Sequence, residues 1–264
     1  MESKTITYQS SKIYYRTIGI GRPIVLIHGF GEDGDIWKNQ VEFLKDHFQL
    51  IIPDLPGSGK SAVINSQLVV GIEDYAEVVK IILAEEKIEE CMMIGHSLGG
   101  YITLAFAEKY PDQLSSFGLV HSSAFADNEE KKATRLKSIE FIKKHGAHEF
   151  LRSSIPELFT EGWTTANRAI VDDLVKKSRL FTDEAIIQYY RAMINRPDRT
   201  AVLKNFSKPI LFIIGEHDKA VPFQQSMQQC YLPAISHIHI LGNTAHMGML
   251  EETEKVNNAL LHFK

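Results

Sequence analysis

The chain has 264 residues, 44% hydrophobic and 23% charged, with 17 Gly, 9 Pro and 2 Cys. That composition excludes a disordered, collagenous, coiled-coil or disulfide-stapled chain and fits one large globular domain, or one domain carrying an insertion. Twenty-nine Lys and Arg against 33 Asp and Glu leave a net charge of −4, so no basic field points to nucleic acid.

From the start, MESKTITYQSSK has no apolar leader, and no stretch of the chain approaches 18 apolar residues. The expectation is a cytoplasmic protein with no membrane span. Thr5–Tyr8 and Lys12–Ile18 read as paired strands, and Ile24–Ile27 as a short apolar strand ending in a glycine turn. Ile36–Asp46 has helical spacing, and Phe48–Ile52 is a strand stopped by Pro53. Glu73–Lys87 is a helix with Val78, Val79, Ile82 and Leu83 on one side. A strand at Cys91–Ile94, a helix at Leu98–Lys109 and a strand at Ser116–Val120 follow. After a long interruption come a strand at Ile210–Ile214, a helix at Phe223–Cys230, a strand at His237–Leu241 and a terminal helix at Met249–Leu261. Apolar strands separated by helices imply an α/β fold: a mostly parallel sheet, buried on both faces, with helices on both sides.

The interruption, residues 122–200, is helical by periodicity at Lys131–His145, Asn167–Arg179 and Asp183–Ile194, with no convincing strand. It holds 14 Lys and Arg against 12 Asp and Glu, whereas the remainder is acidic. No Pro/Gly/Ser linker bounds it, so it reads as a helical cap, or lid, inserted into a core of residues 1–121 and 201–264. Cys91 and Cys230 lack zinc-like spacing and sit in apolar surroundings, which makes them buried free thiols.

Gly95-His-Ser97-Leu-Gly99-Gly joins a strand to a helix. In that context G-x-S-x-G is a nucleophile elbow, whose tight turn strains Ser97 and projects its Oγ above the sheet. A serine hydroxyl is a weak nucleophile that needs a base oriented by an acid. His246 lies in the loop after the last strand, at the sheet edge that Ser97 occupies. His47, His145, His148 and His262 fall in helical or surface stretches. His237 and His239 share a strand without a third metal ligand, so no metal site is expected. Asp218 follows the buried strand Ile210–Ile214, two residues past its rival Glu216, and His217 lines the same loop. Leu98 N–H follows from the elbow as one oxyanion donor, and Phe30 N–H, in the turn His28-Gly-Phe30-Gly31, is the second candidate. His28 is expected to support that turn by hydrogen bonding, and Phe30 and Trp37 are candidates to line an acyl pocket. Gly57-Ser-Gly-Lys-Ser61 imitates the end of a phosphate-binding loop, but Asp54 stands where that motif requires glycine.

In order along the chain, His28-Gly-Phe-Gly31, Asp54-Leu-Pro-Gly-Ser-Gly-Lys-Ser61, Gly95-His-Ser-Leu-Gly-Gly100, Gly215-Glu-His-Asp218 and Ala245-His246 resemble the α/β-hydrolase superfamily, in its small esterase-like branch. The resemblance spans essentially the whole chain. It implies an eight-stranded sheet, a helical cap between the sixth and seventh strands, and oxyanion donors at Phe30 and Leu98. Serine at position 97 departs from the epoxide hydrolase and haloalkane dehalogenase branches, which carry aspartate there. The expected function is hydrolysis of a small to medium ester, with Ser97 as nucleophile, His246 as base, Asp218 as its orienting acid and no cofactor. The triad is equally compatible with C–C bond hydrolysis, lyase or perhydrolase chemistry, and with a ligand receptor of little turnover. Lys131, Lys132, Arg135, Lys137, Lys143 and Lys144 raise an acidic carrier protein as partner, but a solvated helix face balanced by Glu129, Glu130 and Glu140 is preferred.

Overall fold

The computed structural model of the protein describes residues 1–66 and 69–263. Eight strands form one sheet: β1 (Glu2–Tyr8), β2 (Ser11–Ile18), β3 (Arg22–Ile27), β4 (Phe48–Pro53), β5 (Cys91–His96), β6 (Leu114–Val120), β7 (Ile210–Gly215) and β8 (Ser236–Leu241). Their spatial order is β1-β2-β4-β3-β5-β6-β7-β8. β1 pairs antiparallel with β2 through a short hairpin, β2 also pairs antiparallel with β4, and the remaining neighbours are parallel. Helices α1 (Lys38–Leu44), α2 (Ile72–Glu85), α3 (Leu98–Lys109), α10 (Phe223–Cys230), α11 (Gly248–Glu251) and α12 (Thr253–His262) accompany the sheet.

Between β6 and β7 run α4 (Glu129–His145), α5 (Ala147–Ser154), α6 (Glu161–Ala166), α7 (Arg168–Lys177), α8 (Asp183–Asn195) and α9 (Thr200–Asn205). Caps explain several boundaries. The Asn128 side chain accepts from Lys131 N at 2.8 Å, and α4 carries Glu129 and Glu130 in its first turn and Lys143, Lys144 and His145 in its last, all favourable to the helix dipole. Thr182 caps α8 by accepting from Ala185 N at 3.2 Å. The three long periodic stretches in this region become α4, α7 and α8. The short α5 and α6 have too few turns to show a period.

The inner strands are apolar because they are covered on both sides: Ile24 to Ile27 of β3 and Ile210 to Ile213 of β7 are fully buried. β8 departs from that expectation, since His237, Ile238, His239 and Ile240 are all exposed. It is the last strand, with only β7 as neighbour. Two helices also differ from their periodic pattern. A 3-10 turn at Gly34–Trp37, capped by Asp33, precedes α1, and the terminal helix is broken at Glu252 into α11 and α12. Cys91 and Cys230 are both buried free thiols, and burial pushes each up to about 12. Among the described residues no helix is long and apolar enough to cross a membrane.

The parallel registers set Ile27 beside Gly95, His96 beside Val120 and Gly215 beside Leu241. The loops after β3, β5, β6, β7 and β8 therefore emerge at one edge of the sheet. The β6–β7 segment packs over that edge: His246 N–H donates to Leu158 O at 2.9 Å, and the Ser58 and Tyr189 hydroxyls are 2.7 Å apart.

Candidate active site

Ser97 sits between β5 and α3 at φ 50 and ψ −112, a conformation that costs a non-glycine residue about 1–3 kcal/mol. The neighbouring chain enforces it. Ser97 N–H donates to Val120 O at 2.9 Å, tying the turn to β6. A Cβ at Gly95 would stand 2.2 Å from Gly99 O, and one at Gly99 would stand 2.4 Å from Ile27 O. Both obstacles are backbone and cannot swing aside, so Gly99→Ala is expected to destabilise the fold by more than about 4 kcal/mol. Thermal denaturation and soluble yield would check this. Leu98 N–H, at the first position of α3, and Phe30 N–H have no protein acceptor among the described residues. Both are left as free donors.

Asp218 and His246 meet across 28 residues. Asp218 Oδ2 accepts from His246 Nδ1 at 2.8 Å, while Oδ1 accepts from Ala220 N at 2.8 Å and Val221 N at 2.9 Å. Burial alone would raise this carboxyl's pKa. His246 and His121 instead hold it well below the usual carboxylate range. Glu216, the rival carboxylate, is exposed, as is His217. Ser97 and His246 line one cavity, although Ser97 Oγ makes no hydrogen bond among the described residues.

Two further histidines belong to this site and escaped sequence reasoning. His121 directly follows β6 and is fully buried, which pushes its pKa down to about 4, so its ring is neutral near pH 7. Its Nε2 accepts from Gly248 N at 3.2 Å, which leaves the proton on Nδ1, 3.3 Å from Asp218 Oδ2. The signal was available, because His121 ends a parallel strand just as the loop bearing His246 follows one. His96 is the x of the G-x-S motif. Its Nδ1 lies 3.0 Å from Glu32 Oε2 and its Nε2 3.0 Å from His246 O. The His246 carbonyl can only accept, so Nε2 carries a proton, and the Glu32 carboxylate facing Nδ1 favours the imidazolium.

The Glu32–His96 pair has side chains only 7% and 1% exposed. Burial would raise the Glu32 pKa, but His96 and the Gly29 N–H lower it. Burial would lower that of His96, but Glu32 and the His246 carbonyl raise it. Glu32 Oε2 also accepts from Gly29 N at 2.6 Å. One ion pair thus links the Phe30 turn, the elbow strand and the His246 loop. Its glutamate contributes stability above its ordinary pKa of 4.5, lost as pH falls through the lowered folded value. Its histidine contributes below its ordinary 6.5, lost as pH rises through the raised folded value. Glu32→Ala, which strands the buried imidazolium, is expected to cost about 3–5 kcal/mol between those limits. That corresponds to a drop in Tm of roughly 6–20 °C, measurable by calorimetry near pH 5.5.

His28 has the supporting place expected of it. Its Nε2 accepts from Leu55 N at 2.9 Å, and its Nδ1 donates to Gly29 O at 2.8 Å. Phe30 lines the cavity, whereas Trp37 is fully buried in the core against the His96 ring. In the loop that imitates a phosphate site, Asp54 Oδ2 accepts from Lys60 N at 3.0 Å and Oδ1 from Gly34 N at 3.1 Å. The protein's own carboxylate occupies the amides a phosphate would need. His121, Asp218 and His246 are close enough to suggest metal ligands, but the 2.8 Å between His246 Nδ1 and Asp218 Oδ2 is that of a hydrogen bond.

The cavity has a volume of about 530 Å³. Phe30, Leu151, Ile155, Leu158, Tyr190 and Met193 supply much of its apolar wall. Most come from the segment between β6 and β7, so that segment shapes the space in front of Ser97.

A family model described as alpha/beta hydrolase fold matches residues 22–253. RutD of Agrobacterium fabrum, provisionally named a carbamate hydrolase, is 25% identical over 96% of each chain. The pimeloyl-[acyl-carrier protein] methyl ester esterase of Vibrio cholerae is 24% identical, over 95% of this chain and 97% of its own. Among solved structures, a thermophilic esterase of Thermogutta terrifontis with malate bound superimposes with a TM-score of 0.91 at 28% identity, covering 98% of this chain and 97% of that one.

Proposed function

The chain belongs to the alpha/beta hydrolase fold family, and from that premise we propose that it is a serine hydrolase of small to medium carboxylic esters. The observation that carries this reading is the strained Ser97, set in one cavity with the hydrogen-bonded Asp218–His246 pair and flanked by the unpartnered Leu98 and Phe30 amides. The ester-cleaving relatives from Vibrio cholerae and Thermogutta terrifontis support it.

In this mechanism His246 Nε2 takes the Ser97 proton as Oγ attacks the ester carbonyl. Substrate binding tightens the Ser97–His246 contact, as it does in many sites that are loose when empty. Asp218 holds the imidazole with its proton on Nδ1 and stabilises the imidazolium. The Leu98 and Phe30 amides bind the oxyanion. His246 then protonates the leaving alkoxide, giving an acyl-Ser97 intermediate that water cleaves with His246 as base. The reaction draws on no metal or organic cofactor. Residues 122–200 act as a lid on a core of 1–121 and 201–264, and select the substrate.

Labelling by a fluorophosphonate, mapped by mass spectrometry, is expected at Ser97 alone, together with sustained turnover of p-nitrophenyl esters of graded chain length. Labelling elsewhere would overturn the assignment. Preferred turnover of a β-diketone would move the chemistry to C–C cleavage, and stoichiometric binding without turnover would make the protein a receptor. An acidic carrier protein is not favoured as partner. Lys131 and Arg135 turn into the cavity, and Lys132 and Lys143 are paired with Glu129 and Glu140. A salt-dependent rate on carrier-bound but not free ester would reverse that preference.

A further inference from the structure

One wall of the cavity, formed by Lys131, Arg135 and Arg196, carries more positive charge than the carboxylate in contact with it neutralises. Asp127, whose side chain is fully buried, is shared by two guanidinium groups: Arg135 Nε donates to Oδ2 at 2.6 Å, and Arg196 Nη2 donates to Oδ1 at 3.0 Å. One carboxylate cannot balance two cations, and an uncompensated buried charge is costly.

The two arginines are used differently. Arg196 spends its donors on the chain, from Nη1 to Met193 O at 2.8 Å and from Nη2 to Phe125 O at 3.0 Å, and lies 3.9 Å from the Tyr101 ring centre. Arg135 is 13% exposed in its side chain, and its Nη1 reaches only the weak acceptor Met193 Sδ at 3.2 Å. Its Nη2 has no protein acceptor among the described residues. Lys131, one turn earlier on the same face of α4, donates to Ala220 O at 2.9 Å and meets no carboxylate among them. Tyr101 also lines the cavity, and its hydroxyl has no protein partner among the described residues. Burial would raise the phenol's pKa, yet Arg196, Lys131 and Arg135 lower it below 10.0, a sign of the field they create. Of the cavity's other acidic groups, Glu32 is matched by His96 and Glu130 lies at the exposed rim.

Building on the hydrolase reading, we propose that Arg135, Lys131 and Tyr101 form a carboxylate-binding subsite, so that the substrate class is an ester carrying a free carboxylate, such as the monoester of a short dicarboxylic acid. The fork of an arginine with a free terminal nitrogen suits a carboxylate, and the hydroxyl of Tyr101 and the ammonium of Lys131 supply the further donors. Tyr101 and Ser97 line the same cavity of about 530 Å³, which favours a short spacer between carboxylate and ester.

The test compares monomethyl with dimethyl esters of succinate, glutarate and adipate. The best monoester is expected to have a kcat/KM about 10- to 100-fold above its dimethyl counterpart. Arg135→Gln is expected to remove most of that ratio through KM, and Lys131→Gln, a milder change at a partly exposed residue, to reduce it several-fold. Calorimetric titration with glutarate reads the subsite without turnover, and weakening by tenfold or more in Arg135→Gln is expected. Ser97-dependent turnover with no preference for the monoester, or a preference untouched by either variant, would overturn the subsite and leave the hydrolase reading standing. Glutarate binding that depends on Arg135, without Ser97-dependent turnover of any ester, would overturn the hydrolase reading and keep the subsite. Absence of glutarate binding would overturn the subsite.

Discussion

Ser97→Ala is expected to lower kcat on any ester that the protein turns over by about 10⁵–10⁶-fold, with complete loss of fluorophosphonate labelling. The size of the effect follows from what remains. The Phe30 and Leu98 amides and the Asp218–His246 pair stay in place, so a residual rate above that in water should persist, but no group is left to carry the acyl chain. Ser97 Oγ makes no hydrogen bond among the described residues, and the turn is held by its backbone and by Gly95 and Gly99. The variant should therefore keep the circular dichroism spectrum and nearly the Tm of the wild type. Retained labelling or turnover in the folded variant would place the nucleophile elsewhere.

Asp218→Asn is expected to lower kcat by about 10⁴-fold, through the wrong tautomer of His246. The geometry makes this a sharp expectation, because one end of residue 218 is pinned. Oδ1 accepts from the amides of Ala220 and Val221. An asparagine must keep its carbonyl oxygen there, which sets its NH₂ group where Oδ2 now faces His246 Nδ1. Two donors cannot share that contact, so His246 would move its proton to Nε2 and lose the lone pair that receives the Ser97 proton. The same NH₂ would meet Nδ1–H of His121, whose own tautomer is set by Gly248 N–H. His121 Nδ1 makes no hydrogen bond among the described residues, so the change replaces an electrostatic attraction at 3.3 Å by a donor–donor repulsion, which also lowers stability. Asp218→Ala removes that conflict along with the carboxylate. A comparably large loss in kcat with a smaller loss in Tm would separate the two effects. Activity of Asp218→Asn within tenfold of wild type would overturn the role of Asp218.

Much of the candidate site is legible in the sequence because its parts are local. The elbow is a strand, a turn and a helix within ten residues, and the glycines at 95 and 99 are required by contacts that the turn itself creates or brings against β3. Asp218 and His246 were found from their positions after parallel strands, which share one polarity and so deliver their following loops to one edge. The same logic applies to His121, which follows the parallel strand β6, but no motif marks a histidine at that position. Glu32 and His96 were not legible as a pair. They are 64 residues apart, each looks ordinary in its own segment, and only their joint exclusion from water makes them an ion pair.

The region between β6 and β7 divides along the same line. Periodicity located α4, α7 and α8, because a helix with one buried side repeats its apolar residues every three to four positions. It grouped Lys131 and Arg135 with the other lysines of α4 as an outward basic face, since charge on a helix normally points to water. The fold turns those two inward, against Asp127, Tyr101 and Ala220, and leaves Lys132 and Lys143 outside with their glutamates. The amino-acid sequence by itself thus determined the strands, the residues at their ends and, because helices join them, their common polarity, all of which follow from local apolar patterns and the crossover rule. The tertiary structure alone decided which charges are buried, which of them are balanced, and which wall of the cavity is left positive. Those are properties of desolvation and distance between segments far apart in the chain, and no local pattern encodes them.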